Sequence, residues 1–270
     1  MERQRPPGNG WALVVLGGNG VIVRKYIFAG LVIELRMPVP LGVREQTEEF
    51  LLKEDRAADL VYEILPEGPG MADPMRPIRV VEEGDLLRAY MDVALLPGIT
   101  VFGFLSGAGT ANLLPERGRF MLHAAYVLHE GEAILFAAPS GTGKSTQARF
   151  WKERRRGEIV NEDRVILSWL GGTLYAHGAW ATGTAGVSAN KTAPVRAVVL
   201  LGQGEEDRVS SLTAAEKLSR LVPLCTFRDR DVREQIRIID RVSELIEAVP
   251  VVAFDCRNHP GSVEALEGAI

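Results

Sequence analysis

The chain reads as an α/β protein with a strand-rich first half, and three features of its 270 residues predict this. From residue 121 onward, short apolar runs alternate with segments of helical period. One run, residues 195–201, is almost wholly apolar, as a strand covered on both faces of a sheet must be. Thr213-Ala214-Ala215-Glu216 is a capping box, in which the threonine and glutamate side chains satisfy amides left unpaired at a helix start. Strands and helices alternating around one core define the α/β layer architecture.

Before residue 119 the pattern is mainly strands and loops. Residues 26–36, 60–65 and 100–105 read as strands. Residues 66–77, with four prolines and two glycines, read as a loop, and so does the Gly-rich stretch 106–110. Further on, residues 133–137 predict a strand, Lys144 to about Arg155 a helix, and residues 158–161 a strand. Residues 164–169 and 173–176 form a hairpin about Gly171-Gly172. Val232, Ile236, Ile239, Val242 and Ile246 recur at helical spacing, and Pro250 marks the stop beyond them. Residues 251–254 read as a last strand, and Ser262 as the cap of a short final helix. The change of grammar predicts a β-rich N-terminal domain over 1–118 and a second domain over 119–270.

Composition narrows the function classes. With 46% hydrophobic and 24% charged residues a buried core is well within reach. A net charge of -4 argues against nucleic acid or anionic membrane as partner, since both favour a basic surface. The two cysteines, Cys225 and Cys256, lack metal-ligand spacing and read as small core residues. The apolar run at residues 11–16 is too short to span a bilayer and makes a poor signal sequence. These features together predict a cytoplasmic protein, with a homo-oligomer left open.

The strongest local signal is Ala138-Pro139-Ser140-Gly141-Thr142-Gly143-Lys144-Ser145-Thr146, between a buried strand and a helix start. A triphosphate needs many hydrogen-bond donors at close range and no bulky side chains. Glycines let the backbone curl so that successive N–H groups face the phosphates, and the helix N-terminus adds partial positive charge. Lys144 is placed to reach the β- and γ-phosphates and Ser145 to set its hydroxyl on magnesium, so ATP and Mg2+ are the expected ligands of Pro139 to Thr146. Alanine stands where the motif has its first glycine, so a reshaped start to the loop is expected at Ala138. The look-alike at 106–110 has the glycines but no lysine.

Phosphoryl transfer also needs a carboxylate on the metal and a group to take the acceptor's proton. Glu162 and Asp163 directly follow a predicted strand, at the strand tip where α/β sheets place their sites. His123, in Leu-His-Ala-Ala-Tyr, reads by itself as a satisfied core residue.

Leu122-His123-Ala124, the loop Ser140 to Ser145, and Glu162-Asp163-Arg164-Val165 together resemble the catalytic domain of HPr kinase/phosphorylase. Relatives of that domain phosphorylate serine in lasso-peptide precursors. The resemblance covers about residues 121–180 well and the rest of the second half loosely. It implies a P-loop domain of the HPr kinase and phosphoenolpyruvate carboxykinase type. It also implies that Glu162 is the base, that Asp163 joins Ser145 nearer the metal, and that His123 assists. His123 should then lie within hydrogen-bonding or one-water reach of Glu162 or Asp163. The later family signature, Glu-[Ile/Val]-Arg-Gly-x-Gly, is absent. His177-Gly178-Ala179-Trp180, Asn190-Lys191 and Ala193-Pro194 follow instead, and the first half does not resemble the family's N-terminal domain. The expected activity is therefore an ATP-dependent kinase acting on a hydroxyl of a peptide or protein. A small-molecule kinase and a non-catalytic ATP-binding regulator are the alternatives.

Overall fold

The computed structural model describes residues 15–16, 21–68, 73, 77–92, 94–183, 186–228 and 231–270. It is a mixed α/β structure in two compact units, Met1–Gly42 with Phe50–Ile99 and Val43–Glu49 with Thr100–Ile270. The division falls near Thr100, not near Arg119 as the sequence suggests. The reason is local: the turn Pro115–Arg117 packs on the strand and the long helix of the second unit. The N-terminal run 11–16 and the loop 66–77 lie largely outside the described residues.

The first unit is a six-stranded sheet. Its strands are β1 (Val15–Leu16), β2 (Ile22–Phe28), β3 (Leu31–Met37), β4 (Leu60–Glu67), β5 (Ile78–Glu83) and β6 (Leu86–Asp92), in spatial order β1-β2-β3-β4-β6-β5. The single strand expected over 26–36 is instead the end of β2, a two-residue turn and most of β3. Ala29 and Gly30 both take positive φ, 51° and 79°, the backbone of a two-residue turn whose twist matches its strands. Both flanking strands are apolar, so the usual polar break is missing from the sequence.

The second unit carries α1 (Glu45–Glu48), α2 (Val101–Gly107), β7 (Arg119–Leu122), β8 (Ala124–His129), β9 (Glu132–Ala137), α3 (Lys144–Arg155), β10 (Glu158–Asn161), β11 (Val165–Leu170) and β12 (Thr173–His177). It continues with β13 (Thr192–Gln203), β14 (Arg208–Ser211), α4 (Ala214–Leu221), β15 (Cys225–Thr226), α5 (Val232–Ala248), β16 (Val251–Cys256) and α6 (Ser262–Glu267). The strands form one large sheet along β10-β8-β9-β13-β12-β11-β7-β15, with β16 branching from β13 and β14 pairing with β16. β13 joins the two halves: its first residues pair with β12 and its later ones with β9 and β16 in parallel.

Both faces of the central strands are covered. Ala125, Val127, Ile134, Phe136 and Val199 pack on one side with Trp151 of α3 and Leu266 of α6. Tyr126, Leu135, Val198 and Leu200 pack on the other with Ile238, Val242 and Leu245 of α5. Successive residues of one strand thus serve opposite cores, which is why the sequence shows unbroken apolar runs there.

Three expectations change. Residues 101–107 are helical, because Thr100 accepts from the Gly103 N–H at 3.1 Å and the apolar residues fall at helical spacing. On α5 the buried face is Ile238, Val242 and Leu245, whereas Val232, Ile236 and Ile239 are exposed. Ser262 is the first residue of α6 and not its cap. Its hydroxyl donates to the His259 carbonyl and accepts from Gln147. The capping box at Thr213 and Glu216 forms as expected. Among the described residues, no helix is long and apolar enough to cross a membrane.

His177 bridges two hydroxyls, Nε2 to Ser168 Oγ at 2.8 Å and Nδ1 to Thr192 Oγ1 at 2.9 Å. Burial, with Arg119 nearby, lowers its pKa to about 4. The unfolded chain therefore binds a proton that the folded chain refuses. Stability from this group is complete above about pH 6.5 and is lost as pH falls towards about 4. Urea midpoints should fall across that window, and His177→Gln should flatten that part of the slope. An unchanged profile in the variant would refute the assignment.

Candidate active site

Strand direction gathers the site. β8 runs antiparallel to both β9 and β10, with Ala124 opposite Ala137 and Tyr126 opposite Asn161. The start of β8 and the ends of β9 and β10 therefore share one edge of the sheet. His123 precedes β8 there, the loop at residues 138–143 leaves β9 there, and Glu162 and Asp163 leave β10 there. β13 and β16, parallel to β9, bring Gln203, Gly204 and Arg257 to the same edge. Sites of open α/β sheets form at such carboxyl ends.

Gly141 and Gly143 take φ of 81° and 116°, left-handed steps of the kind that can turn successive amides to one side of a loop. Gly143 caps α3, so the helix dipole points into the same space. Ala138 does not take positive φ and is buried. The start of the loop therefore carries no left-handed residue, and the reshaping expected there is not needed. Lys144 is only 6% exposed, and its Nζ donates to the carbonyls of Ala138 (2.9 Å) and Pro139 (3.1 Å). Burial lowers its pKa and the Asp163 charge raises it. Thr142 donates to Pro139 O at 3.0 Å, closing the loop on itself. Ser145 is exposed on the first turn of α3.

The acidic turn is held by a residue the sequence reading passed over. Asn161, fully buried, accepts from the amides of both Asp163 and Arg164 at 3.0 Å and donates to Ala179 O at 3.0 Å. This side-chain-closed turn fixes where the carboxylates point. Asn161 was legible only as a polar residue ending a strand.

His123 Nε2 lies 3.1 Å from Asp163 Oδ1, so the structure brings this pair together. Arg164 Nε is 3.6 Å from Asp163 Oδ2, and its Nη1 donates to Thr226 Oγ1 at 2.9 Å. The His123 hydrogen bond, with the charges of Arg164 and Lys144, holds the Asp163 carboxyl below its ordinary range against the effect of burial. Glu162 differs. Burial raises its pKa, with only partial relief from Lys152, and among the described residues no cation lies within salt-bridge distance of it. Two adjacent carboxylates thus have opposite shifts.

Two clefts flank the turn and the loop. One, of about 390 Å³, runs along Gly141 to Gly143 to Gln203 and Asn258. The other, of about 440 Å³, is lined by Asp163, Arg164, Phe102, Trp180 and Arg44. Other basic residues of this unit are engaged elsewhere: Lys191 pairs with Glu158, Arg154 and Arg155 pair with Glu264 and Glu267 of α6, and Arg228 lies near Glu234. Cys225 is buried as expected, but Cys256 is only half-buried, with its sulfur accepting from Gln147.

No protein-family model matches the chain. No curated protein matches it either. Among solved structures it is similar to the Hpr(Ser) kinase/phosphatase from Coxiella burnetii, at 14% identity and a TM-score of 0.32, over 55% of this chain and 94% of that one. A likeness at that level bears on neither the activity nor the site residues of this chain.

Asn161→Ala would strand the amides of Asp163 and Arg164 in a partly buried turn and leave the Ala179 carbonyl with Ser188 alone. A stability loss of about 3 kcal/mol is expected, read as a lower urea midpoint at unchanged m-value. A variant as stable as the parent would mean that the turn holds itself.

Proposed function

We propose that the chain is an ATP-dependent kinase built on a P-loop domain of the HPr kinase type, transferring the γ-phosphoryl group to a hydroxyl of a peptide or protein. The carrying observation is the convergence of Lys144, Asp163 and His123 on one sheet edge, with Asp163 also facing a cleft of about 440 Å³. β8 separates the loop's strand from the acidic strand, a gap of about 10 Å at ordinary strand spacing. A terminal phosphate and a cation fit such a gap. In this reading the loop amides and Lys144 hold the phosphates, and the nucleoside lies along the cleft beside Gly141 to Gly143.

The residues present fit a divalent cation. Glu162 is a partly buried carboxylate lacking a close cation, and Ser145 offers an exposed hydroxyl on the first turn of α3. Among the described residues, no group of three or more His, Cys, Asp and Glu could cage a metal. The cation would therefore be held by Ser145, Glu162 and the phosphates, as magnesium commonly is. Bound there, magnesium would neutralise charge on the phosphoryl oxygens.

Asp163 takes the acceptor's proton, and His123 orients it through the 3.1 Å contact. The hydroxyl oxygen bonds to the γ-phosphorus as the bond to the β-phosphate oxygen breaks, and ADP leaves. This division reverses the roles implied by the family resemblance. Its grounds are that His123 meets Asp163, and that Asp163 lines the acceptor-sized cleft. A cytoplasmic location, with ATP at hand, belongs to the same reading.

Asp163→Asn should keep the fold and most nucleotide affinity but lower transfer by about a hundred- to ten-thousand-fold. Glu162→Gln should raise the magnesium concentration needed for half-maximal rate. Lys144→Ala should weaken ATP binding in calorimetry and abolish turnover. Parent-like turnover by Asp163→Asn, with or without an acceptor, would remove the base from this scheme.

A further inference from the structure

The cleft on the Asp163 side has a chemistry of its own. Its floor is apolar, made by Phe102, Met121 and Trp180, all buried. Its polar lining is unbalanced: two guanidiniums, Arg44 and Arg164, against one carboxylate, Asp163. That carboxylate is already engaged by His123 at 3.1 Å. Arg164 is fixed from both sides, by Asp163 and by Thr226 Oγ1. Arg44 stands at the start of α1, and among the described residues no carboxylate lies within salt-bridge distance of it. An exposed guanidinium at the rim of an open cleft, without a counter-charge among the described residues, suits a carboxylate or phosphate in paired hydrogen bonds.

We infer that the phosphoryl acceptor is a peptide whose target serine is flanked by an acidic residue, with the acidic side chain on Arg44 and Arg164. The inference rests on the kinase reading for the word acceptor and adds what that acceptor looks like. The hydroxyl lies at Asp163, the neighbouring carboxylate crosses to the arginines, and an adjoining apolar side chain meets Phe102 and Trp180. Within this cleft a basic flanking residue meets two like charges and is rejected.

The test reads binding without transfer. Three fluorescein-labelled peptides, each with one serine flanked by glutamate, glutamine or lysine, are titrated with full-length protein lacking nucleotide, and anisotropy is recorded. The glutamate peptide should bind about tenfold more tightly than its glutamine isostere. Arg44→Ala should erase most of that preference, Arg44→Lys should keep part of it, and Arg44→Glu should turn it towards the lysine peptide. Circular dichroism establishes that each variant is folded, and retained ATP binding does so again for the Arg44 variants. Lys144→Ala should keep the parent's preference. Equal affinity for the glutamate and glutamine peptides, or a preference that survives Arg44→Ala, overturns the inference. Tight, Arg44-dependent binding with no phosphoryl transfer would instead refute the kinase reading and leave the acidic preference standing. Equal phosphorylation of the glutamate and glutamine peptides would refute the preference alone.

Discussion

The site depends on one constraint, the laying of β8 between β9 and β10 with opposite direction to both. Hydrogen-bonded ladders fix that arrangement residue by residue, so neither neighbour can slide without turning its side chains to the wrong core. Three chain segments far apart in sequence are thereby brought to one edge. β8 contributes His123 from its beginning, whereas β9 and β10 contribute the loop and the acids from their ends. Burial on both faces makes the arrangement stiff, since a slip would expose the apolar residues that α3 and α5 cover.

On that frame the electrostatics are arranged by a few short contacts. Lys144 is buried against carbonyls of its own loop, yet it feels the charge of Asp163, and Asp163 feels Lys144 in return. Opposite charges held in a partly dry space interact more strongly than they would in water. Glu162, one residue away, gains no such partner and is pushed the other way by burial. A single turn of chain thus holds two carboxylates in different electrostatic settings.

Much of this was legible in the residues. The glycine-rich loop at 138–146, its flanking strand and helix, and the acidic pair after a strand are local patterns, written by glycine conformation, apolar runs and strand ends. The contact between His123 and Asp163 was expected from a family likeness, because nothing in the local sequence connects residues so far apart. Asn161 was missed because its role is tertiary: an amide side chain matters there only once Ala179 has been folded beside it. Arg44 was missed for the same reason, being joined to the cleft by packing and not by sequence distance. The helix at Val101–Gly107 is misjudged as a strand from sequence because so short an apolar run does not distinguish a buried strand from a buried helix, and its threonine cap decides the matter. The exposed side of α5 shows the converse, that apolar spacing along a helix marks a face without saying which neighbour will cover it.

Ala179 has one carbonyl oxygen, and two buried side chains share it, Asn161 Nδ2 at 3.0 Å and Ser188 Oγ at 2.6 Å. The next residue, Trp180, is part of the cleft's apolar floor. The floor and the acidic turn are therefore covalently and hydrogen-bond adjacent, one peptide unit serving both. A change of shape at the tryptophan tilts the carbonyl that Asn161 holds, and Asn161 in turn holds the amides of Asp163 and Arg164. A substitution that reshapes the cleft floor at Trp180 would then reach the carboxylates as well, so the shape of the cleft and the set of the acidic turn cannot change independently.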